Sequence, residues 1–221
     1  MTKEVEENVE VSGDDLGELL SSGDRSLAIL FGSQSGNSEA LAAKFSKQAS
    51  NYGLEGTVYD MDGFDFASLS GMSRVLIVCS TWGEGEQPDN AEELWKFANS
   101  GAATRLEGTH YAVCALGDTS YELFCESGKE WDGLFEKLGA TRIVERIDCD
   151  VDYDAPASEW TLKALPALAA VDSTGQFFED IVEDIVQFAS GSSVGAGGED
   201  GFTVPVIEAC LLYTSPSPRD S

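Results

Sequence analysis

A chain of 221 residues with 40 acidic and 13 basic side chains carries a formal charge of −27. Such a surface repels nucleic acid and anionic membrane and suits basic protein partners, although solubility or salt adaptation accounts for it equally well. With 42% hydrophobic and 10% aromatic residues, the chain holds one domain of ordinary size plus flanking segments. Cys79, Cys114, Cys125, Cys149 and Cys210 form no Cys-x-x-Cys pair. Their odd number points to a reducing, cytoplasmic setting and away from a disulfide frame or a zinc site. His110 is the single histidine, which excludes a histidine-built metal site or triad. The opening MTKEVEENVEV lacks the basic start and apolar core of a signal peptide, and no apolar run nears the roughly 20 residues of a membrane helix.

Residues 1–24 are acidic, poor in aromatics and interrupted by Gly13, Gly17 and Gly23, so they read as a disordered extension in which Leu16–Leu20 forms at most one turn. The folded domain is expected over 25–172. Leu27–Phe31 is a buried strand that breaks at Gly32; a helix with Leu41, Phe45, Ala49 and Tyr52 on one face follows and stops at Gly53. Gly56–Asp60 is a second strand. Arg74–Ser80 is a continuous apolar run of the kind a doubly covered parallel strand shows. Pro88, Asp89 and Asn90 open a helix with Leu94, Phe97 and Ala98 on one side, and Asn90 with Glu93 fits a capping pair. Tyr111–Leu116 is a fourth strand, Trp131–Leu138 lies in a helix, and Thr141–Val144 is a fifth strand. A last helix begins near Pro156, carries Trp160 and Leu165, and is kinked or ended by Pro166. Alternating strands and helices of this length imply an α/β, three-layer, doubly wound parallel sheet, with any ligand bound beyond the carboxyl ends of its strands.

The turn between the first strand and helix reads Ser33-Gln34-Ser35-Gly36-Asn37-Ser38. Free N–H groups at a helix N-terminus, with small hydroxyl and amide donors around them, suit a phosphate. No lysine follows Gly36, which excludes a nucleoside-triphosphate P-loop, and no Gly-x-Gly-x-x-Gly follows the strand, which excludes a dinucleotide loop. A phosphate grip made of neutral donors remains. The turn resembles the Ser/Thr-x-Ser/Thr-Gly-Asn-Ser/Thr loop of flavodoxins, and that resemblance implies their five-stranded sheet of order 2-1-3-4-5.

Two further loops follow the third and fourth strands: Ser80-Thr81-Trp82-Gly83-Glu84-Gly85-Glu86-Gln87-Pro88 and Leu116-Gly117-Asp118-Thr119-Ser120-Tyr121-Glu122-Leu123-Phe124-Cys125. Each has glycine for unusual backbone angles and one large aromatic near its tip. Trp82 and Tyr121 beside a phosphate loop describe a site for a mononucleotide with a planar ring, and FMN fits. Glu84, Glu86, Asp118 and Glu122 would disfavour an anionic reduced flavin, so the expectation is single-electron transfer between semiquinone and hydroquinone, with no side chain acting as acid, base or nucleophile.

Residues 27–165 are also similar to the FMN domain of diflavin reductases. The run GDTSYELFCESGKEWDGLFEKLGATRIVERIDCDVDYDAPASEW is especially similar to the NADPH-sulfite reductase flavoprotein (alpha) subunit. The resemblance implies FMN contacts from three loops: Ser33, Gln34, Ser35, Gly36, Asn37 and Ser38 on the phosphate; Ser80, Thr81, Trp82 and Gly83; and Leu116, Gly117, Asp118, Thr119, Ser120, Tyr121, Glu122, Leu123, Phe124 and Cys125. Two positions depart from that pattern: Trp82 stands where glutamine or tyrosine is expected, and Ser38 where alanine is.

Beyond the domain, 173–201 reads as an amphipathic helix over 176–190, with Phe178, Ile181, Val182, Ile185 and Phe188 on one face, followed by a Gly/Ser linker at 190–201. The helix packs on the domain or on a missing neighbour, and the first is favoured. Segment 202–210 resembles the opening of an FAD/NADP-binding half, so 202–221 is expected to be a truncated start of that domain plus an artefactual tail. The resemblance implies electrons running from NADPH through FAD to FMN and on to a haem/iron–sulfur acceptor with a basic docking surface, FAD and NADP belonging to the missing part. A cytochrome P450 reductase-like or free-standing flavodoxin carrier is the alternative, and a binding module without flavin is a rival from another class.

Overall fold

The computed structural model describes Leu16, Leu20 and residues 23–192. The expected linker beyond Ser192, the FAD/NADP-type segment and the tail lie outside the described residues, as does most of the N-terminal extension. Leu16 and Leu20 are buried in the core, so the core draws on residues upstream of Arg25.

Among the described residues, six strands form one sheet: β1 (Ser26–Gly32), β2 (Glu55–Asp60), β3 (Arg74–Ser80), β4 (His110–Leu116), β5 (Thr141–Arg142) and β6 (Ile147–Cys149). All pairs are parallel, in the order β2-β1-β3-β4-β5, with β6 also on β4. The expected order holds, with one strand more than expected. Side chains alternate across the sheet. Leu27, Ile29 and Phe31, with Leu76, Val78, Ala112 and Cys114, face one core; Ala28 and Leu30, with Val75, Ile77, Cys79, Tyr111 and Val113, face the other. A one-residue slip would exchange the two faces, so two covered faces pin the register.

Helix α1 (Asn37–Ala49) and helix α4 (Asp154–Ala169) cover the first face through Leu41, Phe45, Trp160, Ala164 and Leu168. Helices α2 (Asp89–Asn99) and α3 (Glu126–Lys137) cover the second through Ala91, Leu94, Trp131 and Phe135. The result is the three-layer arrangement read from the sequence. Helix α5 (Val182–Ser192) packs on α4 and on the 3-10 turn Ser50–Tyr52. It buries Ile185, and the 3-10 turn Glu179–Ile181 before it buries Ile181, but Phe188 is left 42% exposed. The terminal helix therefore rests on its own domain and runs three residues into the span read as linker.

At the floor of the sheet, buried Arg25 donates to the carbonyls of Gly53 (3.1 Å) and Ala169 (2.9 Å), and buried Arg74 donates to Val171 (2.9 Å) and Asp24 (3.0 Å). The last carbonyls of α4 lack helical N–H partners and lie at its negative end, so guanidinium groups satisfy them well.

Local expectations change at three places. Asn90 does not cap α2: Pro88 is the N-cap and offers no capping side chain, the Asp89 N–H is met by Gln34 Oε1, and the Asn90 amide is drawn to the Ser33 N–H, the Phe31 carbonyl and the Asp60 carboxylate. The expected fifth strand, Thr141–Val144, stops at Arg142, and β6 follows it as an unexpected strand. Arg142 and Arg146 turn back to Asp132 while the Glu145 carbonyl accepts from Trp160 Nε1 (2.9 Å), which pulls the intervening residues off the ladder. Helix α4 starts at Asp154 and runs through Pro166 to Ala169. Pro166 sits in the last turn, where its missing N–H removes a single helical bond.

Candidate cofactor site

At β1, the chain reaches Gly36 with φ +86°, a left-handed angle glycine adopts without the penalty other residues carry. That turn starts α1. The Gly36 and Ser38 N–H groups donate to Ser33 Oγ (2.9 and 3.3 Å), and the Ser33 N–H donates to Asn90 Oδ1 (2.8 Å). Among the described residues, no acceptor meets the N–H groups of Gln34, Ser35 and Asn37. Gln34 is pinned reciprocally to the start of α2: its Nε2 donates to Asp89 Oδ2 and its Oε1 accepts from the Asp89 N–H, each at 3.0 Å.

The loop after β3 is a small hairpin. The Trp82 N–H donates to the Glu86 carbonyl (2.9 Å) and the Glu86 N–H to the Trp82 carbonyl (2.8 Å). Gly83 and Gly85 both have positive φ, and a Cβ on Gly85 would lie 2.6 Å from Leu123 Cδ1, so this hairpin rests on the loop after β4. In that loop the Thr119 N–H and hydroxyl donate to the Asp150 carboxylate (3.1 and 2.6 Å), and the Ser120 N–H donates to Asp118 Oδ1 (2.8 Å). A Cβ on Gly117 would come 2.7 Å from the Cys125 nitrogen, so only glycine lets the chain double back there.

The three loops and the turn after β6 enclose a cleft of about 600 Å³, within the range of small-molecule sites. Of the expected residues, Gln34, Ser35, Asn37, Ser80, Thr81, Trp82, Gly83, Leu116, Gly117, Asp118, Tyr121, Leu123 and Cys125 line it. Trp82 and Tyr121 remain 52% and 49% exposed in one cleft, with aromatic faces that no core covers. The remaining expected residues stand off the lining. Ser33 braces the phosphate-type turn from behind, and Gly36 shapes it. Ser38 is fully buried, and its Oγ has no hydrogen-bond partner. Thr119, Ser120 and Glu122 are exposed, and the Phe124 carbonyl accepts from Lys129 Nζ (2.6 Å). Glu84 and Asp118 line the cleft, whereas the Glu86 carboxylate folds against Gly83.

Val151 and Tyr153 also line the cleft and were missed. Both follow β6. The strict apolar–acidic alternation from Ile147 to Asp154 was the available signal for that strand. Burial pushes the Cys125 thiol up to about 12, so the sulfur at the cleft floor stays protonated at neutral pH.

The flavodoxin family model matches residues 29–160, which takes in all three loops. The chain belongs to the flavodoxin family. It is homologous to sulfite reductase [NADPH] flavoprotein alpha-components: 40% identical to that of Vibrio parahaemolyticus over 195 residues (88% of this chain, 30% of the relative), and 44% identical to that of Bacillus subtilis over 164 residues (69% and 27%). The flavodoxin-family chain thus spans less than a third of these relatives. A cysteine-to-serine mutant of flavodoxin from Pseudomonas aeruginosa superposes with a TM-score of 0.58 at 30% identity, over 65% of this chain and 98% of that one. Oxidised flavodoxin 1 from Bacillus cereus shares the fold, with a TM-score of 0.52 at 20% identity.

Family membership indicates FMN, and the residues present fit it. Phosphate chemistry asks for donors, and the loop at α1 offers unmet N–H groups, an orphaned buried hydroxyl at Ser38 and the positive end of a helix. A planar ring asks for uncovered aromatic faces, which Trp82 and Tyr121 supply. Among the described residues no Lys or Arg lines the cleft, so the turn at α1 would hold the phosphate with neutral donors alone.

Proposed function

We propose that the cleft holds FMN with its phosphate on the Ser33–Ser38 turn and its ring between Trp82 and Tyr121. When bound, FMN supplies single-electron transfer, which the protein's own groups shape but do not perform. The observation that carries this reading is the meeting, in one cleft, of a helix N-terminal turn with unmet N–H groups and two half-exposed aromatic side chains from different loops. Gln34, Ser35 and Asn37 present backbone donors, and the Ser33 hydroxyl, which accepts two N–H groups, holds the turn in shape from behind. Glu84 and Asp118 oppose added negative charge at the ring, which tunes the potential downward.

In the longer protein, the domain takes electrons from an FAD/NADPH-binding module and passes them to a haem/iron–sulfur partner. The homology to sulfite reductase flavoprotein components supports this reading. The −27 charge favours a basic docking face on that acceptor. Buried thiols at Cys79, Cys114, Cys125 and Cys149 suit a cytoplasmic setting, and no helix among the described residues is long and apolar enough to cross a membrane. Equilibrium titration with FMN tests the site: one FMN per chain with quenched flavin fluorescence is expected. A protein that takes up no FMN overturns the reading.

A further inference from the structure

Helix α3 begins immediately after the loop that carries Tyr121, yet its second residue reaches across to the hairpin that carries Trp82. The Ser127 N–H donates to Thr81 Oγ1 (3.1 Å) and the Ser127 Oγ donates to the Glu86 carbonyl (2.8 Å). These two acceptors are the two ends of the Trp82 hairpin. The same Glu86 carbonyl accepts from the Trp82 N–H (2.9 Å), so one oxygen ties the ring-bearing residue to the hairpin's own closure and to α3. Ser127 is fully buried. One turn further along α3, Trp131 Nε1 donates to Gln87 Oε1 (2.9 Å) and Gln87 Nε2 donates to Glu130 Oε2 (2.8 Å). The residue that follows the hairpin is therefore anchored to the same helix face.

We infer that Ser127 is a positioning residue for the cofactor slot: through Thr81 and Glu86 it fixes the Trp82 hairpin to the helix that begins beside Tyr121, and so sets the spacing of the two aromatic walls. The inference rests on the cleft being the flavin site. Thr81 benefits as well. Its hydroxyl oxygen is engaged from behind by the Ser127 N–H, which leaves its proton for the cleft it lines. Neither Ser127 nor Gln87 is on the cleft lining, so each acts through another residue.

The test compares wild type, Ser127→Ala, Trp82→Ala and the double variant. In the flavin-free protein, amide hydrogen exchange of Ser127→Ala should quicken by roughly tenfold at Trp82 and Glu86 while the sheet amides keep their protection, as expected for a local opening. FMN affinity should fall roughly threefold in Ser127→Ala and not at all when Ser127→Ala is added to Trp82→Ala, because coupled residues are non-additive. Unchanged exchange at the hairpin, or an equal loss of affinity in both backgrounds, overturns the inference. If wild type takes up no FMN, the reading of the site fails, and the exchange comparison alone then decides whether Ser127 holds the hairpin.

Discussion

Arg146 Nη1 lies 2.6 Å from Asp132 Oδ2, joining helix α3 to the connector between β5 and β6. Arg142 Nε takes the other oxygen of the same carboxylate at 2.7 Å, and the Tyr111 hydroxyl donates to it at 2.9 Å. Arg146 also holds Asp148 on β6 (2.7 Å). A single buried carboxylate thus organises the split edge of the sheet, and the turn after β6 then delivers Val151 and Tyr153 to the cleft.

Removing that carboxylate takes the shared partner from two arginines, leaving Arg146 with Asp148 (2.7 Å) and Arg142 with Glu136 (3.6 Å). Asp132→Ala should cost about 3 kcal/mol, as for one partner of a buried pair, with the partial exposure of both guanidinium groups keeping the cost at the low end of the usual range. The denaturant midpoint at constant m-value measures it.

In the proposed site Trp82 stacks on the bound ring, and being half exposed it contributes little to the empty fold. Trp82→Ala should weaken FMN about tenfold, or ~1.4 kcal/mol, and leave the unfolding midpoint of the flavin-free protein within ~0.5 kcal/mol of wild type. Trp82→Tyr, which keeps an aromatic face, should restore most of the affinity. Fluorescence titration separates these outcomes.

A neutral phosphate grip predicts a ligand difference. With three unmet amides, each worth roughly 1 kcal/mol to a charged acceptor after desolvation, FMN should bind roughly 100- to 200-fold more tightly than riboflavin. Gly36→Ala meets no atom within 4 Å but must hold φ +86°. It should cost about 1 kcal/mol of stability and narrow the FMN-to-riboflavin ratio, because the turn relaxes away from the phosphate. Isothermal titration with both ligands reads that ratio.

How far the sequence carried can be traced to particular residues. β1, β3 and β4 are continuous apolar runs covered on both faces, and the loops after them announce themselves by glycine and small polar residues, so fold and cleft follow from local pattern. Asn90 shows the limit. Its spacing to Glu93 satisfies a capping pair, but its amide meets Ser33 and Asp60 (2.8 Å each) from distant parts of the chain. The β5–β6 split has the same origin, since Asp132 is several residues upstream on another element and local propensity cannot register its pull on Arg142 and Arg146. Ser127 is invisible for a further reason: nothing about a serine in a helical first turn marks it as a bridge to a hairpin forty residues earlier.

His110 makes the fold sensitive to mild acid. It opens β4, is buried, packs its ring on Phe177 (6.1 Å between centroids) and has no hydrogen-bond partner for Nδ1. Burial lowers its pKa first and the nearby Arg74 guanidinium lowers it further, against the raising effects of the Gly108 backbone and Asp172. The folded protein therefore holds His110 neutral at a pH where the unfolded chain, titrating near ~6.5, takes up a proton. More protons bound in the unfolded state means that stability rises with pH across this window. The contribution is present above about pH 6.5 and is lost as pH falls from there toward the lowered folded value, with a slope of at most about 1.4 kcal/mol per pH unit. His110→Phe keeps a ring against Phe177 and removes both the titration and the partnerless nitrogen. Relative to wild type, that variant should show a constant stability difference from pH 8 to 7 and a growing advantage below 6.5. The carboxylates held low by hydrogen bonds, Asp24 and Asp172, lose their stabilising effect only at more acidic pH and are common to both proteins. Denaturation midpoints between pH 8 and 5 resolve the effect, and parallel curves over that whole range would remove His110 as its source.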